Sequence, residues 1–138
     1  MSNDPKRAPF NNPRHPEHLP DAPGWPIHPA MVSSEPSIAG FRIVKSFGVV
    51  QGLIVRSPGL SGSMSAAFQS MSGGNVQVLQ EVCEKARRDA FMMMMEDAVR
   101  YGANGIIAFR YDTTEIGQGL TEVLAYGTAI WAEEASSR

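Results

Sequence analysis

Residues 75–112 read NVQVLQEVCEKARRDAFMMMMEDAVRYGANGIIAFRYD, and this stretch decides the fold. Asn75 suits a helix N-cap, because its side chain can accept from orphan backbone N–H groups. Gly102 suits the left-handed position that ends a helix. The spacing therefore predicts one long helix over Asn75–Tyr101. At about 100° per residue, Leu79, Val82, Cys83, Ala86, Ala90, Met93, Met94 and Tyr101 share a stripe. Glu81, Glu84, Lys85, Arg88 and Asp89 take the opposite side. Late in the helix that side turns apolar at Met92, Met95 and Val99, and a second apolar patch calls for a second partner. A subunit contact is expected there.

Past the helix, Asn104–Asp112 and Leu120–Trp131 (LTEVLAYGTAIW) read as strands joined through Thr113–Gly119, with Gly117 and Gly119 free to turn a hairpin. Period two puts Ile107, Phe109 and Tyr111 on one face and Ile106, Ala108, Arg110 and Asp112 on the other. In the second strand it separates Glu122, Leu124, Tyr126 and Thr128 from Val123, Ala125, Gly127 and Ala129. Before the helix, Phe41–Arg56 (FRIVKSFGVVQGLIVR) is rich in strand formers. Gly48 and Gly52 inside it signal a bulge or a close backbone approach, so one long bent strand is expected. Ser57–Gly74 is rich in serine and glycine, with a short helix expected at Ser63–Met71. The order is β-α-β-β: an α+β fold whose antiparallel sheet packs on one long helix. Both strand faces carry apolar area, as a sheet enclosed between its helix and other subunits would.

The whole chain has 138 residues, enough for one domain. Its 12 Lys+Arg against 14 Asp+Glu leave a net charge of −2, which argues against nucleic acid as a partner. Cys83 is the single cysteine, so neither a disulfide framework nor a cysteine-built zinc site is available. No apolar run approaches the ~20 residues of a membrane span, and MSNDPKRAPF lacks the apolar stretch of a secretory signal. A cytoplasmic protein is the default expectation. Prolines 5, 9, 13, 16, 20, 23, 26, 29 and 36 crowd the first 36 residues. Proline fixes φ and lacks a donor, which forbids helix interior and central strand alike. Residues 1–36 are thus expected to form a proline-rich, extended or disordered tail preceding a domain at 37–138. Trp25 could anchor that tail on the folded surface, and a protein partner could read it.

Three stretches carry a family resemblance: GVVQG at 48–52, GANGIIAFRYDT at 102–113 and TEVLAYGTAI at 121–130. Together they resemble the YbjQ-like family, whose customary label is heavy-metal-binding, over roughly residues 38–131. The resemblance implies a dodecin-like subunit assembled into a ring, typically a homopentamer whose strands contribute to a central barrel. It implies no established biochemical role, and fold alone does not supply one. The Met92–Met95 block departs from the family pattern, which bears on the outer helix contacts.

Candidate chemistry is thin. Soft metals need thiolate, thioether or imidazole ligands, and residues 37–138 contain no histidine. Four consecutive methionines spread over about 300° of helix, so only Met92 and Met95, three apart, could share an ion at a subunit seam; the preferred alternative is that flexible methionines fill an interface. His15 and His18 in the tail are a weaker pair. Arg110, Asp112, Glu115 and Glu122, repeated around a ring, could form a polar collar for a hard cation or small anion. The plainer reading is a cross-strand pair, Arg110 with Asp112 or Glu122, fixing hairpin register. Asp97 shares its angular position with Leu79, so it needs a partner, expected to be Arg110 or backbone donors near Gly102–Gly105. No histidine in the domain can activate a serine, and Cys83 has no evident base, so no catalytic residue is assigned. The expectation is a non-enzymatic ring-forming protein with an assembly or binding role. The alternative is metal-ion or small-ligand binding at the seam or collar.

Overall fold

Val, Ile and Phe on alternate positions, and one helical run ending at a glycine, fold much as their spacing asks. A computed structural model describes residues 24–56, 76–117 and 119–136. The tail up to residue 23 (His15 and His18 included), the short helix expected at Ser63–Met71, the Asn75 cap and the Leu79 side chain lie outside the described residues. The elements are β1 (Phe41–Arg56), α1 (Val76–Arg100), β2 (Gly105–Gly117) and β3 (Leu120–Glu134). The sheet order is β1-β3-β2, with β3 antiparallel to both neighbours. Among the described residues this is the α+β arrangement of a three-stranded sheet on one helix. The helix ends as expected: Gly102 has φ 84°, its amide donates to Val99 O at 2.9 Å, and the Ala103 amide donates to Ala98 O at 3.2 Å, a Schellman closure. The hairpin strands run further than expected, reaching Gly117 and Glu134.

The core lies between α1 and one sheet face. On that face Val50, Val123, Ala125, Ala129 and Ile106 meet Ala86, Ala90, Met94, Met95 and Ala98, while Ile130, next after Ala129, belongs to the other face and shares the space over Gly105 with Met31 and Ile38. The buried helix line climbs in steps of four (86, 90, 94, 98), a ridge inclined to the axis. That inclination corrects the expected straight stripe. Cys83, Met93 and Tyr101 are exposed, whereas Met95 and Ala98 are fully buried. The second helix patch expected at Met92, Met95 and Val99 is therefore largely internal, since Met92 also packs against the core.

Gly52 explains how close the layers come. A Cβ there would run into the carbonyl oxygen of Ala90 and the amide nitrogen of Met94, so the helix backbone rests directly on β1. Gly48, by contrast, has φ 93° and follows register shifts at Ile43/Lys45 and Ser46/Gly48, where β1 bends.

The segment before β1 departs from the extended tail drawn to residue 36. Residues 24–36 form a strap folded onto the domain. Proline at the first position of a short turn is compatible with helical φ, and Pro29–Met31 makes one 3-10 turn capped by His28 Nδ1, which accepts from the Ala30 amide. Ile27 and Met31 join the core. Ser33 N donates to Ile106 O at 2.9 Å, Phe109 N to Ser33 O at 3.0 Å and Ala108 N to Glu35 O at 2.8 Å, so the strap pairs with the outer edge of β2. Trp25 meets Phe91 edge-on with ring centroids 5.5 Å apart, and the stack continues through Phe109 to Tyr111.

Candidate functional site

β2 carries one extra residue. Ile107 pairs with Thr128 but Arg110 pairs with Tyr126, and Ala108 has φ 53°. A left-handed alanine is strained by about 1–2 kcal/mol; the strap's hydrogen bonds to Ala108 and Phe109 hold it. The bulge flips the strand's period. Ile106 falls on the helix side with Phe109 and Tyr111, whereas Ile107 lies on the open side with Arg110 and Asp112, which corrects the simple alternation expected.

The open face is consequently ordered in cross-strand rows. Gln51, Tyr126 and Arg110 form one row; Leu53, Leu124 and Asp112 the next; Val55, Glu122 and Thr114 the third. Val49 opposite Thr128 extends the surface. Among the described residues nothing covers the greasy part of this face on β1: Val49 is 74% exposed, Leu53 42% and Val55 49%. Sequence reasoning noticed apolar area on both faces of the hairpin but did not single out these three residues, whose alternation in FGVVQGLIVR was the available signal.

Three of the four collar residues share that face. Arg110, Asp112 and Glu122 lie in adjacent rows, whereas Glu115 pairs with Thr121 and belongs to the other side. The expected pairing of Arg110 with Asp112 or Glu122 is not made. Its Nη1 donates to Ser34 O and Phe109 O, both at 2.7 Å, because the bulge carries Arg110 towards the strap, whose carbonyls are nearer. Asp112 and Glu122 hold no ion pair among the described residues. Asp97 is satisfied neither by Arg110 nor near Gly102–Gly105. Its Oδ2 accepts from the Gln51 amide at 3.2 Å, and Arg100 Nη1 lies 3.7 Å from Oδ1. The carboxylate thus caps the outward N–H of an edge strand.

Elsewhere the chemistry is sparse. Tyr111 Oη donates to Arg87 O at 3.3 Å beneath the Arg87 guanidinium. Burial pushes the Tyr111 phenol above its usual range, and the Arg87 charge partly offsets this. A recess of about 340 Å³ between strap and β1 is lined by Pro26, Ile27, His28, Met31, Phe41, Ala103 and Asn104. The Asn104 side chain is engaged at both ends by the Ala132 backbone, at 2.8 Å each. Among the described residues no group of three or more His, Cys, Asp or Glu could hold a metal ion. No described helix is long and apolar enough to cross a membrane.

A family model described as "Putative heavy-metal-binding" matches residues 30–133, strap residues included. The chain belongs to the YbjQ family. Among its relatives, a UPF0145 protein of Burkholderia lata is 50% identical over 109 residues, covering 79% of this chain and 92% of its own length. A UPF0145 protein of Solibacter usitatus is 45% identical over 105 residues, covering 76% and 94%. A crystal structure of a protein of unknown function from Pediococcus pentosaceus shows a more distant likeness, with TM-score 0.44 and 20% identity over 74% of this chain and 96% of that one. Among the described residues, the donor set of this YbjQ member does not match the metal in the family's description. Cys83 is exposed and alone, Met95 is fully buried, and His28 Nδ1 is engaged by the Ala30 amide.

Proposed function

We propose that this YbjQ protein is a self-assembling cytoplasmic homo-oligomer, a closed dodecin-like ring in which copies cover one another's open sheet face. On this reading it serves a binding or scaffolding role, without catalysis. The observation that carries this is the open face itself, with Val49, Leu53 and Val55 exposed side by side on a strand. Fully burying an aliphatic side chain stabilises by about 1.5–3 kcal/mol; covering the exposed parts of Val49, Leu53 and Val55 would gain about half of that for each in every subunit, and the repetition around a ring drives association. A pentamer is the copy number favoured by the resemblance. Arg110, Asp112 and Glu122 would then stand at or beside the seam as its polar rim. Sedimentation velocity at micromolar concentration tests the proposal. The expected particle is a discrete multiple of the 15.0 kDa chain, and Val49→Lys should shift it towards monomer while leaving the helix signal intact. A wild-type protein that sediments as a monomer would refute the proposal.

A further inference from the structure

We infer that the described residues of the folded domain (24–56, 76–117 and 119–136) are blind to soft metals: they contain no heavy-metal centre, and any ion they take at an assembly seam would be a hard one. Soft ions select thiolate, thioether and imidazole, whereas hard ions select carboxylate, carbonyl and hydroxyl oxygen. The described soft donors are scattered. Cys83 is exposed, but its helical neighbours at three and four residues, Gln80, Ala86 and Arg87, offer no second soft ligand. Met93, the exposed thioether, lies ten residues further along α1, about 15 Å of axial rise away. One ion cannot bridge that span.

The remaining candidates are committed to the fold. Met94 and Met95 are fully buried, and Met31 is 5% exposed. Met92 packs against the same core. Drawing Met95 out to meet an ion would empty a core site, and truncating such a site costs about 2–5 kcal/mol. His28 caps the turn at Ala30 through Nδ1. Among the described residues, the open face that would form the seam brings only oxygen donors, from Gln51, Asp112, Glu122, Tyr126 and Thr128, with the Arg110 guanidinium, which ligates no cation, among them. This last step alone rests on the assembly reading; the scattering of soft donors holds for one chain.

The test loads the full-length untagged protein with Zn²⁺, Ni²⁺ or Cu⁺, desalts it and measures retained metal by elemental analysis and native mass spectrometry. The oligomeric state is recorded on the same samples, so a monomer would overturn the assembly proposal without touching the metal result. The expected outcome is no stoichiometric soft ion, per chain or per particle. Retention that is lost in a His15→Ala/His18→Ala variant, or in one that also lacks Met64 and Met71, also supports the inference, since it places the affinity outside the described residues. Stoichiometric retention that Cys83→Ser or Met92→Leu abolishes, or that survives the combined loss of His15, His18, Met64 and Met71, overturns it.

Discussion

Replacing Gly52 by alanine puts one methyl group where the helix backbone already sits. The obstacles are the Ala90 carbonyl oxygen and the Met94 amide nitrogen, with Met93 Cβ at 2.9 Å. None of these is the far end of a flexible side chain, so relief requires moving α1 bodily off the sheet. Overpacking costs about 1–3 kcal/mol, and this geometry belongs at the upper end. The lost backbone freedom of the unfolded chain returns about 0.4–1 kcal/mol. The net destabilisation is about 2 kcal/mol or more. For a domain of this size, at about 4–8 °C per kcal/mol, Gly52→Ala should melt about 10 °C or more below wild type. Gly127→Ala provides the internal comparison. Its Cβ would meet Ile106 Cγ2 at 2.6 Å and Ile107 O at 3.0 Å, contacts less severe than the helix backbone at Gly52, so the loss should be smaller. Urea unfolding followed by circular dichroism at 222 nm, at one fixed protein concentration, measures both. A Gly52→Ala protein as stable as wild type, or more stable than Gly127→Ala, would show that the close approach of α1 to β1 is wrong.

Trp25→Ala removes the ring that meets Phe91; truncating a half-buried tryptophan should destabilise by about 3 kcal/mol, read by the same urea titration, and no change would mean that the strap is not docked. Asp97→Ala should lower stability by about 1 kcal/mol, because an edge N–H loses a charge-assisted acceptor, while Asp97→Asn keeps an acceptor and should lose less; equal losses would point to packing instead. Tyr111 governs the alkaline limb. Its phenol pKa is raised above 10.0 on folding, so the folded state holds its proton more tightly. The resulting stability is fully present below the unfolded value and is lost as pH rises through the folded one. Absorbance titration at 295 nm should show one late-ionising tyrosine that Tyr111→Phe deletes.

The elements were legible because their signals are local. Gly102 marks the helix end by a φ that other residues resist, and LTEVLAYGTA alternates because one face is buried against α1 and the other is half-exposed there, a pattern that stops at Ile130, which is buried too. The misreadings share a cause: each depends on a partner far along the chain. Alanine carries no sign that it will adopt φ 53° at position 108; Ser33 and Glu35 impose that conformation through the backbone. Asp97 visibly needed a partner, yet its donor is the Gln51 amide, and every backbone amide looks alike in a sequence. Methionine is unbranched and packs on any side, so Met92–Met95 could not reveal that the buried line crosses the helix obliquely. Over residues 24–36 the prolines correctly excluded a helix interior and central strand, but they permit a 3-10 turn and a docked edge, which Ile27 and Met31 stabilise.

The two edges of the sheet bear on how a ring could close. An exposed edge invites pairing with another chain, and proteins restrict where this happens. On β1 the amide of Gln51 is taken by Asp97, and the strand bends between Ile43 and Gly48. On β2 the stretch from Ile106 to Phe109 is taken by the strap. Among the described residues, the rows left without such covering, Leu53–Arg56 and Asp112–Glu115, both lie opposite Thr121–Leu124 of β3, at the same end of the sheet. A rotation axis running roughly along the strands would therefore bring the free stretch of β1 in one copy beside the free stretch of β2 in the next. Such a head-to-tail contact closes into a ring when the rotation divides the circle. The same rotation would gather Leu53, Val55, Asp112 and Glu122 of successive copies on one side. Edge and open face would thus serve a single interface, with the strap and Asp97 confining it to one end of the sheet.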